Sequence, residues 1–244
     1  MRDLDEFEDD LIERFKRHPV LAGISLLADD DFAAILLQRR FLSLGFTPAY
    51  DLAIDLLEDE VGRRLARVIL REEYPDATGH SPSHREDMKN DLLQLGVRRK
   101  TLVEARPTPA TSDTIVKTLD LIADAGRHGN ANLRLLTILR FWGEVLVSAE
   151  YGRLWPRMEP LLTLDGENRS RFYYPHYIHD RKAHPLAAAS LLSTTHSDRL
   201  GMRLSELLAR EDSTEAFRET ERAVLRLKLG FYDQFTHMIP TPTA

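Results

Sequence analysis

The sequence contains no cysteine, and this absence excludes several kinds of site. Disulfides, zinc fingers, thiolate nucleophiles and cysteine-ligated iron–sulfur clusters all need thiols that the chain does not have. Any metal ion that the protein binds must therefore be held by histidine, aspartate or glutamate. The chain has 9 histidines and 39 acidic residues from which such a site could be built.

The sequence also lacks an excess of positive charge and a long apolar run. Its 33 basic and 39 acidic residues give a formal net charge of -6, and these charges are spread along the chain. We therefore expect no nucleic-acid partner and no membrane partner. The first residues are acidic and amphipathic, unlike a signal peptide, and no run of about 18 apolar residues occurs. The expectation is a soluble, cytoplasmic protein.

Apolar residues recur at steps of three and four along much of the chain, which is the period of an amphipathic helix. The pattern is clearest in residues 32–44, 50–70, 88–95, 114–125 and 133–154. No series of alternating apolar and polar residues predicts a sheet. Turn residues divide the chain into about seven or eight helices. We therefore expect an all-α protein with one domain over residues 1–244, whose ends at 1–15 and 239–244 are free to fray.

Glu73 and His80 form the first candidate metal-binding pair. Their seven-residue spacing returns to nearly the same helical face, about 20° short of two full turns. A carboxylate and an imidazole placed in this way could share one ion. Pro75 and Gly79 disturb the intervening helix, so a capping or surface role is the alternative. His84, one turn further on, competes with His80 for the same role.

Residues 172–185, FYYPHYIHDRKAHP, hold the densest group of metal-binding side chains. His176 and Asp180 are one helical turn apart and would face the same way, which suits two ligands to one metal or to two adjacent metals. His184 would lie about 80° from His176 around an ideal helix, so it needs unwound backbone or a π-bulge to join them. An alternative of equal weight is that these side chains bind no metal and form a solvent-exposed face of a helix.

Glu150 is the third candidate, because it follows an apolar helical stretch with little charge. A buried carboxylate without a partner costs several kcal/mol, whereas a metal ion makes the same group a favourable ligand. Glu144 lies six residues earlier and about 120° away on an ideal helix, so the two are not expected to serve the same site. Carboxylates and imidazoles suit ferrous iron or manganese in a helical bundle. The spacing of these residues in the sequence does not distinguish a site for two ions from a site for one.

These motifs resemble those of the heme-oxygenase-like di-iron oxidases and oxygenases, which share a helical fold with heme oxygenase, thiaminase II and pyrroloquinoline quinone synthase. The family pattern is Glu-x6-His, a later Glu, and then His-x3-Asp-x2-His. The sequence differs from it at the last histidine, which comes one place late. The segments FLSLGFTPAYDLAIDLL, DMKNDLLQLGV and AVLRLKLGFYDQF also resemble the family, so the likeness spans most of the chain.

The resemblance implies a site for two ferrous ions with O2 as co-substrate. The implied ligands are Glu73, His80, Glu150, His176, Asp180 and His184. The resemblance also implies a small amino-acid-like substrate and N-oxygenation, C–C cleavage or nitrile formation in natural-product biosynthesis, with a fatty-acid-like substrate as the alternative. Because His184 is out of register, the second iron is expected to be held less securely.

Other interpretations of the sequence stay open. One is a metal-free enzyme of the same fold, or a heme oxygenase in which His18 or His80 is the functional histidine. Another is a non-enzymatic helical interaction protein whose histidine-rich segment is surface decoration. No flavin or nicotinamide motif is visible, so an oxygenase would take further electrons from its substrate or from an external reductant. The sequence leaves the oligomeric state open, with a homodimer as one alternative.

Overall fold

The computed structural model describes residues 1–75, 82–190, 192–210 and 213–240, and within them nearly all regular structure is helical. The α-helices are α1 (Arg2–Lys16), α2 (Pro19–Ala22), α3 (Asp29–Leu44), α4 (Phe46–Leu56), α5 (Glu60–Glu72), α6 (His84–Gln94), α7 (Arg99–Glu104), α8 (Pro109–Ala125), α9 (Ala131–Ile138), α10 (Leu146–Leu162), α11 (Tyr173–His179), α12 (His196–Arg210) and α13 (Thr214–Asp233). The all-α prediction is confirmed. Short segments such as α2 and α7 make the helices more numerous than seven or eight.

Local capping explains where several helices begin. The Ser83 side chain accepts a hydrogen bond from the backbone of Glu86, and the Glu86 carboxylate accepts one from the backbone of Ser83, which forms a capping box at the start of α6. Thr108 caps α8 ahead of Pro109. The Asp59 side chain accepts a hydrogen bond from the Gly62 backbone, so the stretch 50–70 is two helices and not one.

A long helical rod, formed by α9, a π-helical segment (Leu139–Val145) and α10, runs through the centre of the fold. Every residue of the π-helical segment is buried. The helices α1, α12 and α13 pack against this rod. π-Helical turns displace the following side chains around the axis and are frequent at functional sites. The segment therefore changes which side chains of residues 139–150 share a face.

The N-terminal helix packs into the fold, and residues 241–244 at the other end lie outside the described residues. Helix α1 spans most of residues 1–15 and buries Leu4, Leu11 and Phe15 in the hydrophobic core.

A two-stranded hairpin, β1 (Thr163–Leu164) and β2 (Glu167–Asn168), forms the connector between α10 and α11. None of the described helices combines the length and apolar composition needed to cross a membrane.

Candidate metal centre

Glu73, His84 and His176 form one group of possible metal ligands. Glu73 follows the end of α5, His84 is the first residue of α6, and His176 lies in α11. One side-chain donor atom from each residue lies within 4.8 Å of the others. The His84 Nδ1 and Glu73 Oε1 atoms are 3.0 Å apart, and the two imidazole ring centroids are 4.8 Å apart. The spacing of these atoms would let one ion contact all three side chains.

Glu144, Asp180 and His196 form a second group with the same spacing of donor atoms. Glu144 lies in the π-helical segment, Asp180 follows α11, and His196 begins α12. The His196 Nδ1 atom lies 3.3 Å from Glu144 Oε2 and 3.4 Å from Asp180 Oδ1. Both carboxylates are almost completely buried.

The two groups face one small pocket of about 60 Å³, which all six side chains line. Helix α11 joins them, because it carries His176 and leads directly into Asp180, one turn later. The arrangement therefore offers three imidazoles and three carboxylates around a single space. Such a donor set suits ferrous iron or manganese, and pairs of these ions are held in this way in helical bundles.

Asp91, a fully buried residue of α6, fixes the start of α11. Its carboxylate accepts hydrogen bonds from the Ser170 hydroxyl at 2.7 Å, and from the backbone N–H groups of Phe172 at 3.0 Å and Tyr173 at 3.2 Å. These bonds satisfy backbone donors that a helix start leaves without partners. The positions of His176 and Asp180 thus depend on α6 as well as on α11.

The imidazole of His176 is held in a form suited to binding a metal. Its Nδ1 atom lies 2.6 Å from the carbonyl oxygen of Phe172, to which it donates, so Nε2 carries the free lone pair. Burial, together with the neighbouring His84, lowers the pKa of His176 to about 3. His176 is therefore neutral at neutral pH. For His84, burial lowers the pKa, but the hydrogen bond to Glu73 outweighs it and the net shift is upward.

The second group places two buried carboxyl groups around one imidazole. Burial lowers the pKa of His196, but hydrogen bonds to Asp180, Glu144 and Glu72 outweigh it and raise the pKa to about 12. Burial and the nearby Glu144 raise the pKa of Asp180 well above its usual value. Among the residues that the structure describes, none forms a hydrogen bond with the buried Asp180 Oδ2 atom. A metal ion could take the place of these protons and contact the Asp180 Oδ2 atom, so the residues fit a metal ion.

The structure brings together only some of the residues that the sequence predicted as ligands. Glu73 and His176 share one group, and Asp180 belongs to the other. His80 lies outside the described residues, and its competitor His84 lies beside Glu73. His184 stands apart, with Nδ1 2.5 Å from Asp198 Oδ2 and with more than half of its side chain exposed.

Glu150, which was predicted as a ligand, lies in neither group. Its Oε1 atom accepts a hydrogen bond from Arg39 Nε at 2.7 Å, and Lys228 Nζ lies 3.7 Å from Oε2. Tyr232 also donates to Oε1. The apolar sequence around Glu150 signalled burial correctly, but the buried charge is offset by cations of the protein itself. Glu144, which the spacing argument separated from Glu150, belongs to the second group instead.

Sequence reasoning missed His196 altogether. It comes from α12, which has no fixed spacing to the candidate motifs, so no local pattern in the sequence marks it.

His18, considered as a functional histidine of a heme oxygenase, has a structural role. Its Nδ1 atom accepts a hydrogen bond from the Val20 backbone at the start of α2, and its Nε2 atom lies 3.1 Å from Asp233.

A larger cavity of about 410 Å³ adjoins the pocket that the two groups line. The two spaces share parts of their walls, including Phe46, Glu73, Gly143 and His176. Most of the remaining lining is apolar and includes Met88, Trp142, Val147 and Phe172. A small organic molecule in this cavity would lie against the first group of ligands.

Comparisons with known proteins identify the fold. No family model and no curated protein matches the chain. Among solved structures it is similar to a CADD-like protein of unknown function from Nostoc punctiforme, with 14% identity, coverage of 100% of this chain and 99% of the other, and a TM-score of 0.65. A TenA family transcription regulator from Silicibacter sp. gives 13% identity, 96% and 94% coverage and a TM-score of 0.59.

A TenA homologue from P. horikoshii is similar to the same degree, with 15% identity, 97% and 98% coverage and a TM-score of 0.58. At these identities the likeness concerns the fold alone. The TenA-family and CADD-like neighbours share the heme-oxygenase-like all-helical fold, and so does this chain.

Proposed function

We propose that this protein is a non-heme di-iron oxygenase or oxidase that acts on a small organic substrate. The observation that carries the proposal is the pair of three-residue groups that line one buried pocket beside a cavity of about 410 Å³. Glu73, His84 and His176 would hold one ferrous ion. Glu144, Asp180 and His196 would hold the other. When bound, the two ions would supply electrons to O2 and so oxidise the substrate.

The residues around the site orient these ligands. The Phe172 carbonyl fixes the His176 ring through Nδ1, and Tyr50 donates a hydrogen bond to Glu144 Oε1. Phe46 stacks on Tyr50 with ring centroids 4.1 Å apart, which restricts the tyrosine to that position. The apolar cavity walls would keep bulk water from the bound substrate. An amino-acid-like substrate and a fatty-acid-like one both remain within this proposal, and an external reductant would supply any further electrons.

A metal-free enzyme of the same fold is the less favoured alternative. It gives no reason for three buried or half-buried carboxylates to converge on three imidazoles, nor for the unpartnered Asp180 oxygen.

Anaerobic titration with Fe2+ tests the proposal directly. We expect two ions to bind per chain, and we expect O2 added to the loaded protein to be consumed with a transient visible absorption band. Candidate amino acids and fatty acids should then accelerate O2 consumption if they are substrates. Binding of no iron, or of a single ion that gives no reaction with O2, would contradict the proposal.

Metal binding should release protons, because the second group is protonated without a metal. His196, whose pKa is raised to about 12, and Asp180, whose pKa is also raised, must both lose protons to become ligands. The affinity of the protein for the metal ion should therefore fall as the pH is lowered from about 8 to about 6. Calorimetric titration with Mn2+, an air-stable probe, in buffers of different ionisation enthalpy measures the proton release. Equal heats in all buffers and an affinity independent of pH would contradict the assignment.

A further inference from the structure

Lys228, a residue of α13, places an amine in the wall of the larger cavity. Only 2% of its side chain is exposed, so the amine is shielded from bulk solvent. Its Nζ atom lies 5.4 Å from the ring centroid of Trp142, which belongs to the same wall. The amine therefore borders a space that is large enough for a small organic molecule.

The protonated form of Lys228 would be poorly satisfied in this position. An ammonium group carries three hydrogen-bond donors. The carboxylate oxygen that lies within ion-pair distance of Nζ is Glu150 Oε2 at 3.7 Å, which is too far for a hydrogen bond. Within the described part of the chain, Glu150 Oε2 has no hydrogen-bond partner at all. Burial of incompletely paired donors favours the neutral amine over the ammonium ion.

The balance of buried charge favours the neutral amine as well. Arg39 Nε donates to Glu150 Oε1 at 2.7 Å, and both side chains are almost completely buried. A guanidinium stays protonated, so this pair is already neutral and a protonated Lys228 would be a surplus cation. In agreement, burial lowers the pKa of Lys228 to about 7, because the attraction of Glu150 offsets the burial only in part and Arg39 adds repulsion.

Two other lysines of the chain show how Lys228 differs. Lys182 is also largely buried, but it forms ion pairs with three carboxylates of α1. Burial lowers its pKa, and the attraction of Glu8 outweighs this effect, so the net shift is upward. Lys117 is exposed on α8, where it forms an ion pair within the helix. Both amines are therefore protonated at neutral pH, which removes the lone pair that a nucleophile needs.

We infer that Lys228 binds a small apolar aldehyde or ketone covalently, as an imine, inside the larger cavity. The Nζ lone pair would attack the carbonyl carbon and form a C–N bond. Both Nζ protons would then pass to the carbonyl oxygen, which leaves as water while the C=N bond forms. Nothing is oxidised or reduced, and the step needs no co-reactant. The inference goes beyond the proposed function, because this reaction requires no metal ion.

The shape and polarity of the cavity indicate the class of carbonyl compound. Trp142, Phe172, Met88 and Val147 give the wall a mainly apolar surface with two aromatic rings. A buried apolar wall favours a carbonyl compound with an aromatic or hydrocarbon substituent over a polar sugar. Benzaldehyde is small enough for the volume of about 410 Å³ and is a suitable probe.

Reductive trapping of the imine tests this inference. The full-length, iron-free chain is incubated with benzaldehyde and cyanoborohydride, and the labelled lysines are identified by peptide mass mapping. At about pH 7.5 we expect a benzyl group on Lys228 at a rate at least about tenfold above that of Lys117 or Lys182, because a far larger fraction of Lys228 is neutral. Labelling of Lys228 no faster than that of Lys117 would overturn the inference.

Variants identify the reactive amine. Lys228→Arg keeps a long cationic side chain, and Lys228→Met keeps much of its volume, and each should lose the fast label while Lys117 is labelled at an unchanged rate. Lys117→Arg is the matched control and should retain the fast label. The thermal midpoint shows whether each variant is folded before the rates are compared. Fast labelling that persists in a folded Lys228→Arg protein would overturn the inference.

The outcomes also separate this inference from the di-iron proposal. Trapping is carried out on the iron-free chain, so fast labelling of Lys228 can be observed even if the iron titration fails. Conversely, uptake of two irons by a chain whose Lys228 is not labelled would leave the di-iron proposal in place and remove only the imine site.

Discussion

Replacing Glu144 by alanine should reduce the bound iron from two ions to one per chain, whereas Glu150→Gln should keep both. The two glutamates are a matched pair, because both are almost fully buried and they lie six residues apart on the same helical rod. Glu144 faces Asp180 and His196, but Glu150 faces Arg39 and Lys228. Loss of a direct ligand should lower O2-dependent turnover by at least about a hundredfold, the upper end of the effect of losing an outer-shell partner.

Metal analysis of the two purified variants, loaded with Fe2+ under identical anaerobic conditions, measures this difference. His84→Ala and His196→Ala extend the comparison, since each should remove one ion from a different group. Retention of two irons by Glu144→Ala, or loss of iron from Glu150→Gln in a protein that is still folded, would show that the two glutamates have the opposite roles.

Arg140→Met should cause the largest loss of stability of the substitutions considered. Arg140 lies in the π-helical segment and is completely buried, where it pairs with Glu8 of α1 and donates from Nε to the Ser197 carbonyl of α12 at 2.9 Å. Glu221 of α13 lies 4.0 Å from its Nη1 atom. Removing the guanidinium leaves two buried carboxylates facing each other, which should lower the free energy of unfolding by about 3 to 5 kcal/mol.

Thermal denaturation measures this effect, and a decrease of about 10 °C in the midpoint is expected for a chain of this length. Arg127→Met is the control, because Arg127 makes an exposed ion pair with Asp124 and should change stability by less than about 0.5 kcal/mol. Adding Glu8→Gln to Arg140→Met should recover part of the loss, since it removes a buried charge that would keep only Lys182 as its cationic partner. A double variant no more stable than Arg140→Met would contradict this account.

The ion pairs of Glu8 also predict how the stability of the protein changes at low pH. Burial raises the pKa of Glu8, but Arg140 and Lys182 outweigh it and lower the pKa to about 2. The stability contributed by this ionised carboxylate is therefore complete above the unfolded value of about 4.3 and is lost as the pH falls toward 2. Glu8→Gln should flatten this part of the curve of unfolding free energy against pH. An unchanged curve in Glu8→Gln would contradict the role of Glu8.

The helical fold was predictable because its signal is local and repeated. The apolar period in residues 32–44 corresponds to the face of α3 that lies against the core, and this period does not depend on any distant residue. The division at residues 57–59 was missed, since the apolar pattern continues across the turn that Asp59 caps. Helix boundaries depend on such single capping contacts more than on periodicity.

The site was predictable only where its residues are close in sequence. His176 and Asp180 are one turn apart, so their common direction follows from helical geometry. The choice between Glu144 and Glu150 required knowledge of the π-helical segment and of Arg39 and Lys228, which come from other parts of the chain. The sequence indicated that Glu150 is buried, but not which cation accompanies it.

His196 illustrates the limit of spacing arguments. It reaches the site because α12 packs against the π-helical segment, and this contact is set by the tertiary packing of the whole core. The histidine-rich segment drew attention to His184 instead, which is near in sequence but pairs with Asp198 outside both groups. Convergence of ligands from separate helices is a property of packing and not of local sequence.

Anomalous diffraction at the iron absorption edge, from crystals of the protein loaded anaerobically with Fe2+, tests the central claim most directly. The account predicts two peaks in one pocket, the first in contact with Glu73, His84 and His176 and the second in contact with Glu144, Asp180 and His196. A single peak, a peak beside Glu150, or no peak in this pocket would contradict it.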